Sequence, residues 1–140
     1  MKKTELMVGD HVLARGKNVR IGGFSATSGW VDVIDNDEIH FYSIEQLEPI
    51  PLTAEMLEKN GFIHRQSDKL GDFFTYKWFI EQQDKTLQYD HYFKLSADPY
   101  EGTGFYWVPE MSAVAALLIH YVHELQHLLH LCGIGKEMTL

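Results

Sequence analysis

The sequence predicts an α+β protein, with a small N-terminal SH3-like β-barrel followed by an antiparallel sheet, a short helix and a C-terminal amphipathic helix. Three observations lead to this prediction. Short strand-like segments separated by glycine and asparagine turns fill residues 1–50. The segment EPIPLT then interrupts them, because its two prolines prevent continued strand pairing. In the remaining part, residues 51–140, aromatic strand-like segments precede a stretch with leucines at three- and four-residue spacing.

Residues 1–50 contain four strand-like segments joined by turns. HVLAR follows the Gly9-Asp10 turn, and NVRIGGFSA carries a Gly22-Gly23 pair that suggests a bulge. GWVDVID and EIHFYSI lie on either side of an Asn36-Asp37 turn. Strands this short and closely spaced favour a barrel, because closure of the sheet leaves no unpaired edge. A single helical turn in SIEQLEPI is expected to end this unit.

A short helix is predicted over 53–60. Thr53 is a suitable N-cap, and Gly61 can adopt the left-handed conformation that ends a helix. Three aromatic strands are then predicted within 73–108, in the segments FFTYKWFI, LQYDHYFKL and GFYWV. The connections between them are short enough for an antiparallel meander.

A C-terminal helix is predicted over about 120–132, ended by Gly133. On a helical wheel, apolar residues share one side, namely Leu118, Val122, Leu125 and Leu129. Histidines occupy the other side, namely His120, His123, His127 and His130. This pattern predicts that the leucines pack on the sheet and that the histidines face solvent. Residues 111–119 fit either a fourth strand or an early start of the helix.

The letters HELQH match the H-E-x-x-H pattern of zinc metallopeptidases. In such enzymes His123 and His127 would bind zinc, and Glu124 would activate a zinc-bound water as the catalytic base. The metzincin extension is absent, because His130 and Gly133 stand where a metzincin has glycine and histidine. His91 or an upstream acidic residue is left as the candidate third ligand, without a supporting motif. We therefore predict no catalytic residue, no cofactor and no resident metal, with adventitious binding of Zn²⁺ or Ni²⁺. A zinc-dependent hydrolase is the alternative hypothesis.

The charge of the chain is unevenly distributed. Its 140 residues carry a formal net charge of −8. Residues 1–31 hold five basic and two acidic side chains, a net +3, whereas the rest hold seven and eighteen, a net −11. Such a surface repels phosphate, so nucleic acid is disfavoured as a partner. The single cysteine and the lack of a long apolar run predict a cytoplasmic protein without membrane association, whose oligomeric state is not predicted.

Two blocks of the sequence are distinctive as a set, LEPIPLTAEMLEKNGF and YVHELQHLLHLCGI. Together with the opening ELMVGDHV, they resemble small uncharacterised proteins found in Bacteroidetes genomes and their prophages. That family usually has glutamine after the first histidine, where this chain has Glu124. A family that lacks this glutamate cannot use it as a catalytic base. The resemblance implies a phage-related protein and carries over no activity or functional residues.

The leading hypothesis is a non-enzymatic binding or adaptor module with a protein partner. Tyr121, His123 and Gln126 form the candidate interaction surface, and the alternative for these three residues is a structural role in a capping or helix–sheet contact. A further hypothesis is an acidic decoy of a protein that handles nucleic acid. It predicts a contiguous negative face on residues 32–110.

Overall fold

The computed structural model of the chain describes residues 5–25, 28–67, 71–78, 91–98, 103–109 and 117–140. In these ranges, ten strands form two antiparallel five-stranded sheets, and two α-helices follow the first sheet in the chain. The predicted α+β class is therefore confirmed. The parts of the predicted aromatic meander that fall on 79–90 and 99–102 lie outside the described residues.

The N-terminal sheet consists of β1 (His11–Ala14), β2 (Lys17–Phe24), β3 (Trp30–Asp35), β4 (Glu38–Ser43) and β5 (Leu47–Pro49). Its strand order is β4-β3-β2-β1-β5. Two-residue turns join β1 to β2 and β3 to β4, and both residues of the second turn, Asn36 and Asp37, have positive φ. A bulge between Ile21 and Gly23 confirms the predicted irregularity in β2. A 3₁₀ turn, Ile44–Gln46, precedes β5.

The SH3-like barrel predicted for residues 1–50 is not confirmed, because among the described strands β4 and β5 remain unpaired edges and the sheet does not close. Alternating residues nevertheless place apolar side chains on one side of the sheet. These side chains form a core of their own, which consists of Leu6, Val12, Ala14, Val19, Ile21, Val31, Val33 and Leu47.

The C-terminal sheet consists of β6 (Ile63–Ser67), β7 (Gly71–Trp78), β8 (His91–Ala97), β9 (Phe105–Val108) and β10 (Leu117–Ile119). Each strand pairs with its neighbour in sequence, which confirms the antiparallel meander for β7, β8 and β9. The polar strand β6 was not predicted, because IHRQS lacks an apolar alternation. For residues 117–119 the strand alternative is correct, whereas 110–116 are outside the described residues.

The two helices are α1 (Ala54–Lys59) and α2 (Val122–Leu131). The Thr53 hydroxyl caps α1 by accepting the Met56 amide at 3.3 Å, and Gly61 follows with a φ of +88°, both as predicted. The larger core lies between the C-terminal sheet and these helices, and it includes Leu57, Phe74, Leu95, Leu125 and Leu129. In the described part of the chain, neither helix is long and apolar enough to cross a membrane.

The EPIPLT segment connects the two sheets and is bonded to the start of α2. The Leu52 amide donates to the His120 carbonyl at 2.8 Å, and the Val122 amide donates to the Ile50 carbonyl at 2.9 Å. Between these bonds, Pro51 and Tyr121 form an isolated bridge. The first turn of α2 is therefore held beside the end of the N-terminal sheet.

Candidate functional site

The HELQH residues lie in the first two turns of α2, where Glu124 acts as a helix cap. Its Oε1 atom accepts the backbone amides of His120 at 3.4 Å and Tyr121 at 3.2 Å. A carboxylate at this position satisfies amides that have no partner within the helix, and it interacts favourably with the helix dipole. This oxygen of Glu124 thus has a structural role at the helix start.

His127 joins α2 to the N-terminal sheet. Its Nε2 atom donates to the two carboxylate oxygens of Asp10 at 2.9 and 2.8 Å. Asp10 lies in the turn before β1, is buried, and also accepts the Met7 amide at 2.7 Å. Because this carboxylate is removed from water, its two donors are needed to stabilise the charge.

His123 is buried beside this pair, with only 4% of its surface exposed. Its ring stacks on Tyr121 at a centroid distance of 5.8 Å and meets His127 edge-on at 5.7 Å. Its Nδ1 atom is buried without a hydrogen-bond partner among the described residues. Burial lowers the pKa of His123 below its usual value, although the nearby carboxylates of Asp10 and Glu124 act in the opposite direction.

The prediction that the histidines of α2 face solvent is wrong for His123 and only partly right for His127. His130 is exposed as expected, but the turn that carries Asp10 covers the side of the helix on which His127 lies. The helical wheel identified the apolar side correctly, since Leu125 and Leu129 are fully buried. The wheel could not show that the histidine side of α2 lies against the N-terminal sheet.

Gln126 holds the C-terminal segment of the chain. It is 4% exposed. Its Oε1 atom accepts the Met138 amide at 2.7 Å, and its Nε2 atom donates to the Lys136 carbonyl at 2.9 Å. Of the predicted interaction surface of Tyr121, His123 and Gln126, the structure places His123 and Gln126 in buried positions, and Gln126 bonds to the C-terminal segment. A role of this surface in binding stays a prediction.

A cavity of about 520 Å³ lies where α2 meets the N-terminal segment, and it is lined by Glu5, Pro49, Tyr121, His123, Glu124 and His127. The residues predicted as alternative metal ligands, His123 and His127, are thus neighbours at one cavity. However, Nε2 of His127 is bonded to Asp10. Within the ranges that the structure describes, no group of three His, Cys, Asp or Glu side chains is arranged to hold a metal ion.

A second candidate site is the exposed side of the N-terminal sheet, formed by Trp30, Asp32 and Ile34 of β3 and by Ile39 and Phe41 of β4. We call it the β3–β4 outer face. Its four apolar residues are between 41% and 66% exposed. Sequence reasoning recognised the alternation in these strands but did not identify a site. The available signal was that β3 carries apolar residues on both sides.

Comparisons of the chain with protein-family models, with curated proteins and with solved structures found no match. The function is therefore inferred from the geometry of the described residues.

The capping role of Glu124 predicts different effects for two substitutions. We expect Glu124→Gln to change the free energy of unfolding by less than about 0.5 kcal/mol, because a glutamine carbonyl can accept the same amides. Glu124→Ala should lower it by about 1 kcal/mol, the usual cost of a lost cap. Urea unfolding followed by circular dichroism measures both. Equal losses in the two variants would contradict the capping role.

Proposed function

We propose that the protein is a non-enzymatic binding module, phage-related as the sequence resemblance implies, and that it binds a protein partner on the β3–β4 outer face. The observation that carries this proposal is the exposure of Trp30, Ile34, Ile39 and Phe41 on one side of a single sheet. A contiguous exposed apolar patch is typical of an interaction surface.

These side chains are not needed for the core of the sheet. Val31 and Val33 of β3 point to the opposite side and are fully buried there. The exposed residues are contiguous, since Ile34 lies directly opposite Ile39 in the antiparallel pairing. Gly22 of β2 leaves room for this arrangement, because a Cβ atom at that position would lie 3.1 Å from Cγ1 of Ile34. The apolar patch is thus an addition to a core that is already complete.

An SH3-like small barrel remains part of the proposal for the N-terminal sheet. Five short strands around one apolar core, with a 3₁₀ turn before the last strand, support it. Folds of this kind have many functions, so the function is argued from the exposed face. The excess of acidic residues after position 31 supports a protein rather than a nucleic acid as the partner.

Hydrolysis at the HELQH residues is the weaker proposal. Two of the three residues that it would use have structural partners, since Oε1 of Glu124 accepts backbone amides and Nε2 of His127 donates to Asp10. A zinc enzyme needs the histidine nitrogen directed at the metal and the carboxylate directed at the bound water. Binding of a protein on the β3–β4 outer face requires no such rearrangement of side chains.

The proposal is tested by selecting peptides from a random library displayed on yeast and by measuring their affinity calorimetrically. We expect the wild-type protein to enrich peptides that are rich in apolar residues. We expect Phe41→Ser to weaken their binding at least about tenfold, because an exposed aromatic residue at the centre of an interface contributes strongly.

The matched control is Ile63→Ser, which removes an exposed apolar side chain from the edge strand of the other sheet. It should leave peptide binding unchanged. Two results would overturn the proposal. In the first, the wild-type protein enriches no more peptide than Phe41→Ser does. In the second, the selected peptides bind the wild-type protein and Phe41→Ser with the same affinity.

A further inference from the structure

We propose that the partner contributes an extended segment that pairs with β4 as an added β-strand, with apolar side chains on the β3–β4 outer face and a lysine or arginine beside Asp32. This inference rests on the proposed function of that face. It adds the backbone geometry of binding and the chemistry of the bound segment.

The hairpin register shows which backbone groups of β4 are available. Asp35 pairs with Glu38 across the two-residue turn, and in such a turn this pair is hydrogen-bonded. Bonded and non-bonded pairs alternate along an antiparallel ladder. His40 therefore bonds to β3, whereas the amide and carbonyl groups of Ile39 and Phe41 point away from it.

Ile39 and Phe41 are also the large apolar residues of β4 whose side chains are exposed. Because β4 is an edge of its sheet, an incoming strand can bond to their backbone groups and extend the ladder. Every second side chain of that strand would then lie on the outer face next to Ile39 and Phe41. One bound segment can thus form hydrogen bonds with the backbone of β4 and cover the apolar side chains at the same time.

The edge strand β6 of the other sheet shows what a protected edge looks like in this chain. After Ile63 it continues with the polar residues His64, Arg65 and Gln66, whose side chains are exposed. Charged side chains on an edge disfavour pairing with another chain. In the centre of β4, the residues whose backbone groups point away from β3 are Ile39 and Phe41. Their side chains are apolar and do not protect the edge in this way.

Charge defines the remaining feature of the segment. Asp32 lies on the outer face directly opposite Phe41, and its carboxylate has no hydrogen bond or ion pair within the described part of the chain. The turn that follows β3 adds the exposed acidic residue Asp37. A basic side chain in the bound segment would complement this charge, whereas an acidic one would be repelled.

The test compares Ile39→Pro with Ile39→Ala, using peptides selected against the wild-type protein. Both variants lose the isoleucine side chain, but only proline also removes the outward amide. Since that amide makes no bond to β3, an edge strand can accept proline there. We expect Ile39→Pro to bind the peptides about fivefold more weakly than Ile39→Ala, as the loss of one hydrogen bond predicts.

Amide hydrogen exchange of the wild-type protein gives a second measurement that needs no substitution. Bound peptide should slow exchange at Ile39 and Phe41 and leave His40 unchanged, because the His40 amide is already bonded to β3. The selected peptides should also carry lysine or arginine and lose affinity for Asp32→Asn.

The possible failures can be told apart. If no peptide is enriched, both the proposed function and this inference fail. If peptides bind but the two Ile39 variants are equivalent and exchange at Phe41 is unchanged, the face binds a partner without strand addition. If sedimentation shows a peptide-free dimer that Ile39→Pro dissociates, the added strand is a second copy of this chain, and the basic segment is wrong.

Discussion

Replacement of His127 by alanine is expected to lower the free energy of unfolding by about 3 kcal/mol. The substitution leaves the buried Asp10 carboxylate with the Met7 amide as its remaining described donor. A buried charge that loses its partner is destabilising, because the cost of removing it from water is no longer offset. Urea unfolding at neutral pH, followed by tryptophan fluorescence, measures the change.

The control for this prediction is His40→Ala. His40 is also paired with a carboxylate, that of Glu38 at 3.4 Å, but both side chains are exposed. Surface pairs contribute little, so a loss of less than about 1 kcal/mol is expected. The double variant Asp10→Ala/His127→Ala should be destabilised less than the sum of its single variants. Additive losses would show that the two residues do not act as a pair.

Replacement of Leu125 by alanine is expected to lower the free energy of unfolding by about 3 kcal/mol, within the range for a leucine removed from a packed core. Leu125 is fully buried between α2 and the C-terminal sheet. The loss combines the transfer free energy of the deleted groups with the cavity that they leave. Thermal and urea unfolding of the purified variant measure it.

The matched control is Leu131→Ala in the same helix. Leu131 is 84% exposed, so its truncation should change the free energy of unfolding by no more than about 0.5 kcal/mol. Similar losses at both positions would mean that α2 does not pack through the face that contains Leu125.

Short-range features of the fold were predictable from the sequence. The Thr53 cap and the Gly61 stop depend on residues a few positions apart, and the bulge near Gly22 follows from the conformational freedom of a Gly-Gly pair. The structure has all three. The apolar side of α2 followed from its leucine spacing for the same reason. In contrast, β6 has no such local signal, since its polar residues become a strand through pairing with β7.

The candidate sites were less predictable than the elements that carry them. HELQH was visible in the sequence, but its letters do not state which atoms each side chain contacts. Glu124 faces the backbone amides of its own helix, and Gln126 faces the C-terminal segment. The β3–β4 outer face was not predicted, for a different reason. When both sides of a strand are apolar, alternation alone does not tell which side the core covers.

The chain alone was enough to predict the α+β class, the Thr53 cap and Gly61 stop of α1, the turns of the first sheet and the leucine side of the last helix. Each depends on the conformational preferences and spacing of nearby residues. The tertiary structure was needed to show that His127 contacts Asp10, 117 positions earlier in the chain, and that Ile39 and Phe41 are exposed on a strand that is an edge among the described strands. Such contacts depend on how two sheets and a helix are placed in space, and local preferences do not contain that information.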